Sequence, residues 1–307
     1  MILVKSVNVS TAKGTIKKTV PSIILDHEGV QGDAHSGSWH RQVSLLGTES
    51  IEKFSQQSHR EIQFGEFAEN ITTQGELLYK MNPLDTLSNP EITLEITQIG
   101  KKCHGDNCSI FREVGNCVMP KEGIFARVIR GGVLKAGDKL EFRKRIFKIA
   151  VITLSDRASK GEYKDLSGEI LSTRIKSHFE SNNRSLDVQR ILLPDEREKL
   201  EKQFKELVSG NTDLIFTTGG TGIGPRDIVP EVINPLLDKE IPGIMDMIRS
   251  KYGQQNPAAL LSRSVAGIKE KSIVFTLPGS PKAVEEYISE ILLLLDHTIL
   301  MLNGLGH

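Results

Sequence analysis

The sequence predicts two domains of different class: a β-rich barrel or rolled sheet at the front, and an α/β domain with a mostly parallel sheet at the back. Three observations point there. A chain of 307 residues is long enough for about two independent cores. The front half is made of short runs with strand character, separated by Gly-containing turns. The back half alternates short apolar runs with stretches of helical spacing.

Taken in order, Met1–Val9 is a β-rich start, Lys13-Gly14 a turn and Ser22–Leu25 a second strand. Residues 29–43 form a long polar loop that re-enters a strand, and Thr48–Gln57 has helical spacing. Glu91–Thr97 alternates apolar and polar residues with period two, a strong strand signal. Gly123–Arg130 is a further strand candidate. Gly131-Gly132, Lys135–Asp138 and Lys139–Phe142 then supply turns and a closing strand. The basic run Arg143–Arg145 reads as a solvated linker, which places the domains at 1–143 and 146–307. Beyond it, Phe147–Leu154 is a buried strand and Ser167–Phe179 a helix with Ser167 as N-cap. Leu186–Leu193 is a strand, Glu196–Val208 an amphipathic helix and Asp213–Phe216 a buried strand. Val229–Leu237 opens a helix with proline in its first turn, and Ile241–Tyr252 is helical. Ser272–Leu277 is the last strand and Pro281–Leu302 a long closing helix.

Bulk properties exclude several function classes. Charged residues make up 25% and hydrophobic residues 38%, as in ordinary soluble proteins. Residues 1–145 carry 19 Lys and Arg against 17 Asp and Glu, a net +2. The remainder carries 20 against 22, a net −2. Neither half has the basic excess of a nucleic-acid binder. The apolar stretch Ile288–Leu302 is interrupted by Glu290, Asp296 and His297, so it reads as a core helix rather than a membrane span. No signal stretch opens the chain, and three cysteines argue against a disulfide framework. Both point to the cytoplasm.

The most informative stretch is Thr217–Ile228, Thr-Thr-Gly-Gly-Thr-Gly-Ile-Gly-Pro-Arg-Asp-Ile, between a buried strand and a helix. It lacks the Gly-Lys-Ser/Thr of a P-loop and the Gly-x-Gly-x-x-Gly of a dinucleotide fold. Gly219, Gly220, Gly222 and Gly224, with Thr221, allow a ligand close to the backbone, and a helix N-terminus beyond them suits an anion. The other reading is a glycine-rich surface turn.

In a parallel sheet the loops after successive strands share one edge, where ligands bind. Those loops carry Ser155-Asp156-Arg157, Pro194-Asp195, the glycine loop with Asp227, and Pro278-Gly279-Ser280. Two carboxylates plus phosphate oxygens are a common setting for Mg²⁺. No His/Cys cluster suggests a soft metal in this half, and no Ser–His pair sits in a nucleophile elbow. Phosphoryl or nucleotidyl transfer fits, because there positioning and charge stabilisation do most of the catalysis. Each aspartate also has the alternative role of a helix N-cap; Ser155 and Ser280 either donate to a phosphate or cap, and Arg263 is a phosphate clamp or a surface arginine.

Ser155–Ser159, Thr217–Gly222, Pro225–Asp227, Leu261–Arg263 and Leu277–Val284 together resemble the MoaB/Mog family of molybdenum cofactor biosynthesis, over nearly all of 146–307. The resemblance implies a three-layer α/β domain that assembles as trimers or hexamers. It also implies an adenylyltransferase in which the terminal phosphate of molybdopterin attacks the α-phosphorus of Mg-ATP, with Asp195 and Asp227 as its important aspartates. A non-catalytic molybdopterin-binding scaffold and a nucleotide-cleaving enzyme on the same fold are the alternatives.

In the front half, Cys103-His104-x-x-x-Cys108 with Cys117 nearby offers four soft ligands, without the Cys-x-x-Cys spacing typical of zinc sites. A zinc site, buried inert thiols and a reactive thiolate beside Lys101, Lys102 and His104 all stay open. Gly32–His35, His40–Val43, Phe64-Gly65, Glu69–Thr73, Cys103-His104 and Cys117–Pro120 resemble a MOSC domain over about 1–143. That resemblance implies a β-rich module that binds the molybdenum cofactor or carries sulfur on a cysteine. Cys103 is the first candidate for that cysteine and Cys108 the second. His35, Arg41 and Asn70 are either contacts to an anionic pterin phosphate or structural polar residues. The product would pass to a molybdenum insertion protein or to molybdoenzymes.

Overall fold

The computed structural model describes residues 1–101 and 117–306. It divides into two compact units, Met1–Arg145 and Ile146–His307.

The first unit contains β1 (Ile2–Val9), β2 (Lys18–Val20), β3 (Ser22–Asp26), β4 (Gly29–Val30), β5 (Val43–Gly47), α1 (Thr48–Ser58) and β6 (Ile71–Gln74). β7 (Thr86–Ser88), β8 (Thr93–Ile99), α2 (Met119–Glu122), β9 (Ile124–Arg130), β10 (Gly132–Lys135) and β11 (Lys139–Arg143) follow. Strands run in the order β11-β7-β8-β9-β5-β6-β1, and β11 pairs back onto β1, so seven strands close a barrel; β2 extends from β1. A small sheet, β10-β3-β4, accompanies it. The pairs are antiparallel except β5 with β6, and closure leaves the seven barrel strands without a free edge, which protects a small β domain from edge-to-edge association. Ile2, Val4, Val7, Leu45, Ile71, Leu94, Ile96 and Leu140 fill the interior, all from alternating or fully apolar strand positions. A satellite core of Leu46, Ile51, Phe54, Phe67 and Phe125 anchors α1, with Phe54 and Phe67 edge-to-face at 5.1 Å. β6 and β7 have no obvious sequence signal. They are three or four residues long, and tertiary pairing, not propensity, defines them.

The second unit contains β12 (Ile146–Leu154), α3 (Asp156–Ser159), α4 (Leu166–Ser181), β13 (Ser185–Leu193), α5 (Arg197–Ser209), β14 (Leu214–Thr218) and α6 (Val229–Ile233). β15 (Lys239–Glu240), α7 (Pro242–Gly253), β16 (Ala266–Lys269), β17 (Ser272–Leu277) and α8 (Pro281–Leu302) complete it. The sheet order is β13-β12-β14-β17-β16-β15. β12 pairs in parallel with β13 and β14, and β14 with β17; β16 and β15 continue antiparallel. Every residue of β14 and β17 is buried, which is why these strands read as apolar runs interrupted only by Ser and Thr. The chain leaves β12 toward β13 and returns to β14 on its other side. The strand order therefore reverses around β12, and a crevice opens at the carboxyl ends of these strands.

One helix start differs from the sequence expectation. Asp165, not Ser167, caps α4, its carboxylate accepting from the Gly168 amide at 2.8 Å. Ser167 instead donates to the Gly279 carbonyl at 2.7 Å, tying α4 to the loop after β17. Among the described residues no helix is long and apolar enough to cross a membrane.

Candidate functional site

At the carboxyl edge of the second unit lies a cavity of about 1210 Å³. The loops after β12, β13, β14 and β17 all line it, and with them Ser155, Asp195, Gly219 to Gly222, Asp227 and Pro278 to Ser280. Arg263 and Gly224 are absent from that lining.

The glycine loop is shaped by close backbone approach. Gly219 has φ +98°, and a Cβ there would lie 2.3 Å from the Leu154 carbonyl oxygen. Only glycine fits between two strand ends that close together. Gly279 crosses it closely as well, a Cβ on Gly279 falling 3.1 Å from the Gly219 Cα. Thr218 donates to the Pro278 carbonyl at 2.8 Å and fixes the two loops in register. The helix beyond the loop differs from expectation. α6 is only five residues long, and the Val229 amide at its start is taken by the Gly220 carbonyl at 3.0 Å. Any anion held here relies on loop amides rather than on a long helix dipole.

The two aspartates do not cap helices. Ile228 precedes α6 and Glu196 precedes α5, neither with a side-chain cap. The Asp227 carboxylate folds back on its own loop and accepts the Gly224 amide at 2.8 Å. It occupies the space a Cβ on Gly222 would take, 2.7 Å from Oδ2. Asp195 reaches the same loop from the other strand, since a Cβ on Gly220 would lie 3.6 Å from its Oδ1. Burial, and then the charges of Asp156 and Asp227, push the Asp195 carboxyl above its ordinary range. Two half-buried carboxylates that feel one another's charge across a shared cavity are a hard oxygen donor set, and this fits Mg²⁺ shared with phosphate oxygens.

Ser155 and Ser280 line the cavity and also cap α3 and α8, accepting from Ala158 and Ala283 at 3.2 Å each. Ser155 Oγ is further paired with the Tyr163 hydroxyl at 2.8 Å. Arg263 lies outside the cavity lining and bonds to the glycine loop. Its guanidinium supports the loop from behind, donating to the Gly222 carbonyl at 2.7 Å, the Asp227 carbonyl at 2.9 Å and the Glu231 carboxylate. Its own amide donates to the Thr221 carbonyl at 2.8 Å.

Sequence reasoning missed Asp156 and Arg226 as a pair. Arg226 donates to both Asp156 oxygens, at 2.6 to 3.0 Å, and holds that carboxyl below its ordinary range. Both residues sit in quoted motifs, but 70 positions apart, and no local pattern signals their meeting.

In the first unit His35, Arg41 and Asn70 surround a smaller cavity of about 120 Å³ with Trp39, Lys101 and Phe125. The Arg41 guanidinium lies 4.8 Å from the Trp39 ring centroid, while its Nε is buried without a hydrogen-bond partner. His35 Nδ1 faces Asp33 Oδ1 at 3.4 Å. Asn70 is also bonded to the strands. Its amide accepts from the Ser44 amide and hydroxyl at 3.1 and 3.0 Å and donates to the Asn8 carbonyl at 3.2 Å, which joins β1 to β5. Cys103, His104 and Cys108 lie outside the described residues; Cys117 is half-buried and unbridged by a disulfide.

Comparison with known proteins gives two family matches: a probable molybdopterin binding domain over residues 150–297 and a MOSC domain over 32–141. A molybdopterin adenylyltransferase from Helicobacter pylori J99 is 38% identical over 144 residues, spanning 47% of this chain and 80% of the relative. One from Escherichia coli K12 is 34% identical over 149 residues, spanning 47% and 73%. The crystal structure of the molybdopterin biosynthesis enzyme MoaB from Thermus thermophilus is similar at 33% identity and a TM-score of 0.46. That match covers 52% of this chain and 97% of the MoaB chain.

Proposed function

The chain belongs to the molybdopterin adenylyltransferase family, with a MOSC domain in front, and on that premise we propose that its rear domain transfers an adenylyl group from ATP to molybdopterin. The terminal phosphate of molybdopterin attacks the α-phosphorus of ATP. A P–O bond forms there as the bond from the α-phosphorus to the oxygen bridging to the β-phosphate breaks, and pyrophosphate leaves with that electron pair. The observation that carries the reading is the meeting of Asp195, Asp227 and the glycine loop at one cavity large enough for two substrates. Asp195 and Asp227 are the residues that would hold Mg²⁺, which when bound neutralises charge on the triphosphate. Amides of Gly220 to Gly222 and of Gly279 and Ser280 cradle phosphate oxygens, with Ser155 and Ser280 at the rim. A three-layer arrangement about the mostly parallel sheet, assembled as a trimer or hexamer, belongs to the same proposal. The direct test is pyrophosphate release from ATP on addition of molybdopterin. Wild type releases it, Asp195→Asn and Asp227→Asn release little, and equal release by all three proteins overturns the assignment.

The front domain, in this proposal, binds the molybdenum cofactor or sulfurates it. His35 and Arg41 face its anionic phosphate, Cys103 is the first candidate to carry sulfur, and Cys108 is the second. The work is cytoplasmic, and the product passes to a molybdenum insertion protein or to molybdoenzymes. Tethering raises the effective concentration of one site's product at the other. Separated halves should therefore transfer product less efficiently than the intact chain, and equal efficiency removes the coupling.

A further inference from the structure

We infer that Asp156 and Arg226 are positioning residues that together tie the loop carrying Asp195 to the loop carrying Asp227. The inference rests on the adenylyltransferase reading and deepens it. Asp195 and Asp156 are locked reciprocally: the Asp195 amide donates to Asp156 Oδ1 at 3.0 Å, and the Asp156 amide donates to Asp195 Oδ2 at 3.0 Å. Arg226 then grips the same Asp156 carboxylate, its Nε donating to Oδ2 at 3.0 Å and its terminal nitrogen to Oδ1 at 2.7 Å and Oδ2 at 2.6 Å. Arg226 is the chain neighbour of Asp227. A continuous path therefore runs from Asp195 through Asp156 and Arg226 to Asp227. It joins loops that follow three adjacent parallel strands, β13, β12 and β14.

An ordinary surface ion pair is the alternative, and the exposures favour that view at first sight, with Arg226 61% and Asp156 34% exposed. Pairs that open to water contribute little to stability. This pair differs in geometry. The fork is bidentate, and Asp156 Oδ1 serves Arg226 and the Asp195 backbone at once. Losing Arg226 leaves the fold almost untouched and frees the carboxylate that fixes Asp195. Both residues line the cavity, so their displacement acts where the two aspartates meet substrate.

The test compares Arg226→Met, Arg226→Lys, Asp156→Asn and the Asp156→Asn/Arg226→Met double variant in the full chain. Two readouts are used: kcat and KM for ATP in pyrophosphate release, and Mn²⁺ binding in the presence of a non-hydrolysable ATP analogue, followed by electron paramagnetic resonance. Misplacement of reacting groups by about 1 Å costs up to about a hundredfold in rate, so Arg226→Met is expected to lower kcat roughly tenfold or more. Mn²⁺ binding should weaken severalfold, Arg226→Lys should recover part of both losses, and the double variant should be no worse than the worse single one. Additive losses, or a raised KM with kcat intact, overturn the inference, because Arg226 would then act on substrate directly. Asp227→Asn, measured alongside, separates the two levels. If it is inactive while Arg226→Met and Asp156→Asn match wild type in both readouts, only the positioning role falls. If it turns over normally, the reading of the site itself falls, and this inference with it.

Discussion

Gly222→Ala separates the chemistry of the glycine loop from its fold. The backbone of Gly222 is not in the left-handed region, so alanine meets no conformational penalty there. The three atoms nearest its Cβ all belong to the Asp227 carboxylate, Oδ2 at 2.7 Å, Cγ at 3.2 Å and Oδ1 at 3.5 Å. An ordinary contact begins near 3.4 Å, so the carboxylate must retreat by about 0.7 Å, the difference between 3.4 and 2.7. It is the free end of a side chain and can do so at small cost to stability. If Asp227 holds a cation against a triphosphate as proposed, a shift of that size is expected to lower kcat by roughly 10- to 100-fold. The Gly224 amide that now donates to Asp227 Oδ2 would lose its partner in the process. The assay pairs pyrophosphate release with a thermal melt followed by circular dichroism. The expected outcome is a large fall in kcat with a melting temperature within about 2 °C of wild type, less than 1 kcal/mol for a domain of this size. A kcat within twofold of wild type means that the position of Asp227 does not matter, and the reasoning about the loop fails.

Other predictions test the supports of the two units. Lys17 and Asp33 form a buried pair at 2.6 Å, with neither side chain exposed, so Asp33→Asn strands a buried ammonium and should destabilise the first unit by roughly 3–5 kcal/mol in urea titration. Burial alone would raise the Asp33 carboxyl, but hydrogen bonds from His35 and Lys17 and the charge of Lys17 outweigh it and hold the group far below its ordinary range. A depressed carboxyl stabilises the fold above its unfolded value near pH 4 and loses that contribution as pH falls; the slope of stability below about pH 5 should therefore flatten in Asp33→Asn. Arg263→Met removes the donors behind the loop and should reduce kcat/KM by at least about tenfold, in line with loss of a precisely held site; unchanged kinetics would show that the loop holds its shape unaided. Ser167→Ala deletes one hydrogen bond to Gly279 and should cost about 0.5–1.5 kcal/mol in a denaturant titration.

Much of this architecture is legible in sequence because burial and periodicity are local. The largely apolar runs of β12, β14 and β17 announce buried parallel strands, and the glycine loop with Asp227 lies within twelve residues of chain. Asp195 could be placed at the same edge because a parallel sheet brings successive loops together. What the sequence hides is contact across distance. Asp156 meets Arg226 and Asp195 only after three strands align, and Arg263 turns to the back of the loop because the Gly222 and Asp227 carbonyls wait there. Asn70 reads either as a contact to a pterin phosphate or as a structural polar residue; in the fold it bonds β1 to β5, the two strands that flank β6, a neighbourhood no local pattern shows. The Ser167 cap failed for a smaller reason: Asp165, two residues earlier, is a cap of equal standing, and the Gly168 amide falls within its reach.

The central claim is that Asp195 and Asp227 act at one nucleotide in the rear cavity. Mass spectrometry of the products from ATP and molybdopterin tests it most directly, run with wild type, with Asp227→Asn and without the pterin. Adenylylated molybdopterin and pyrophosphate from wild type alone, and only when pterin is present, are the predicted result. Nucleotide cleavage without pterin, or the same adenylylated product in undiminished yield from Asp227→Asn, would contradict the account.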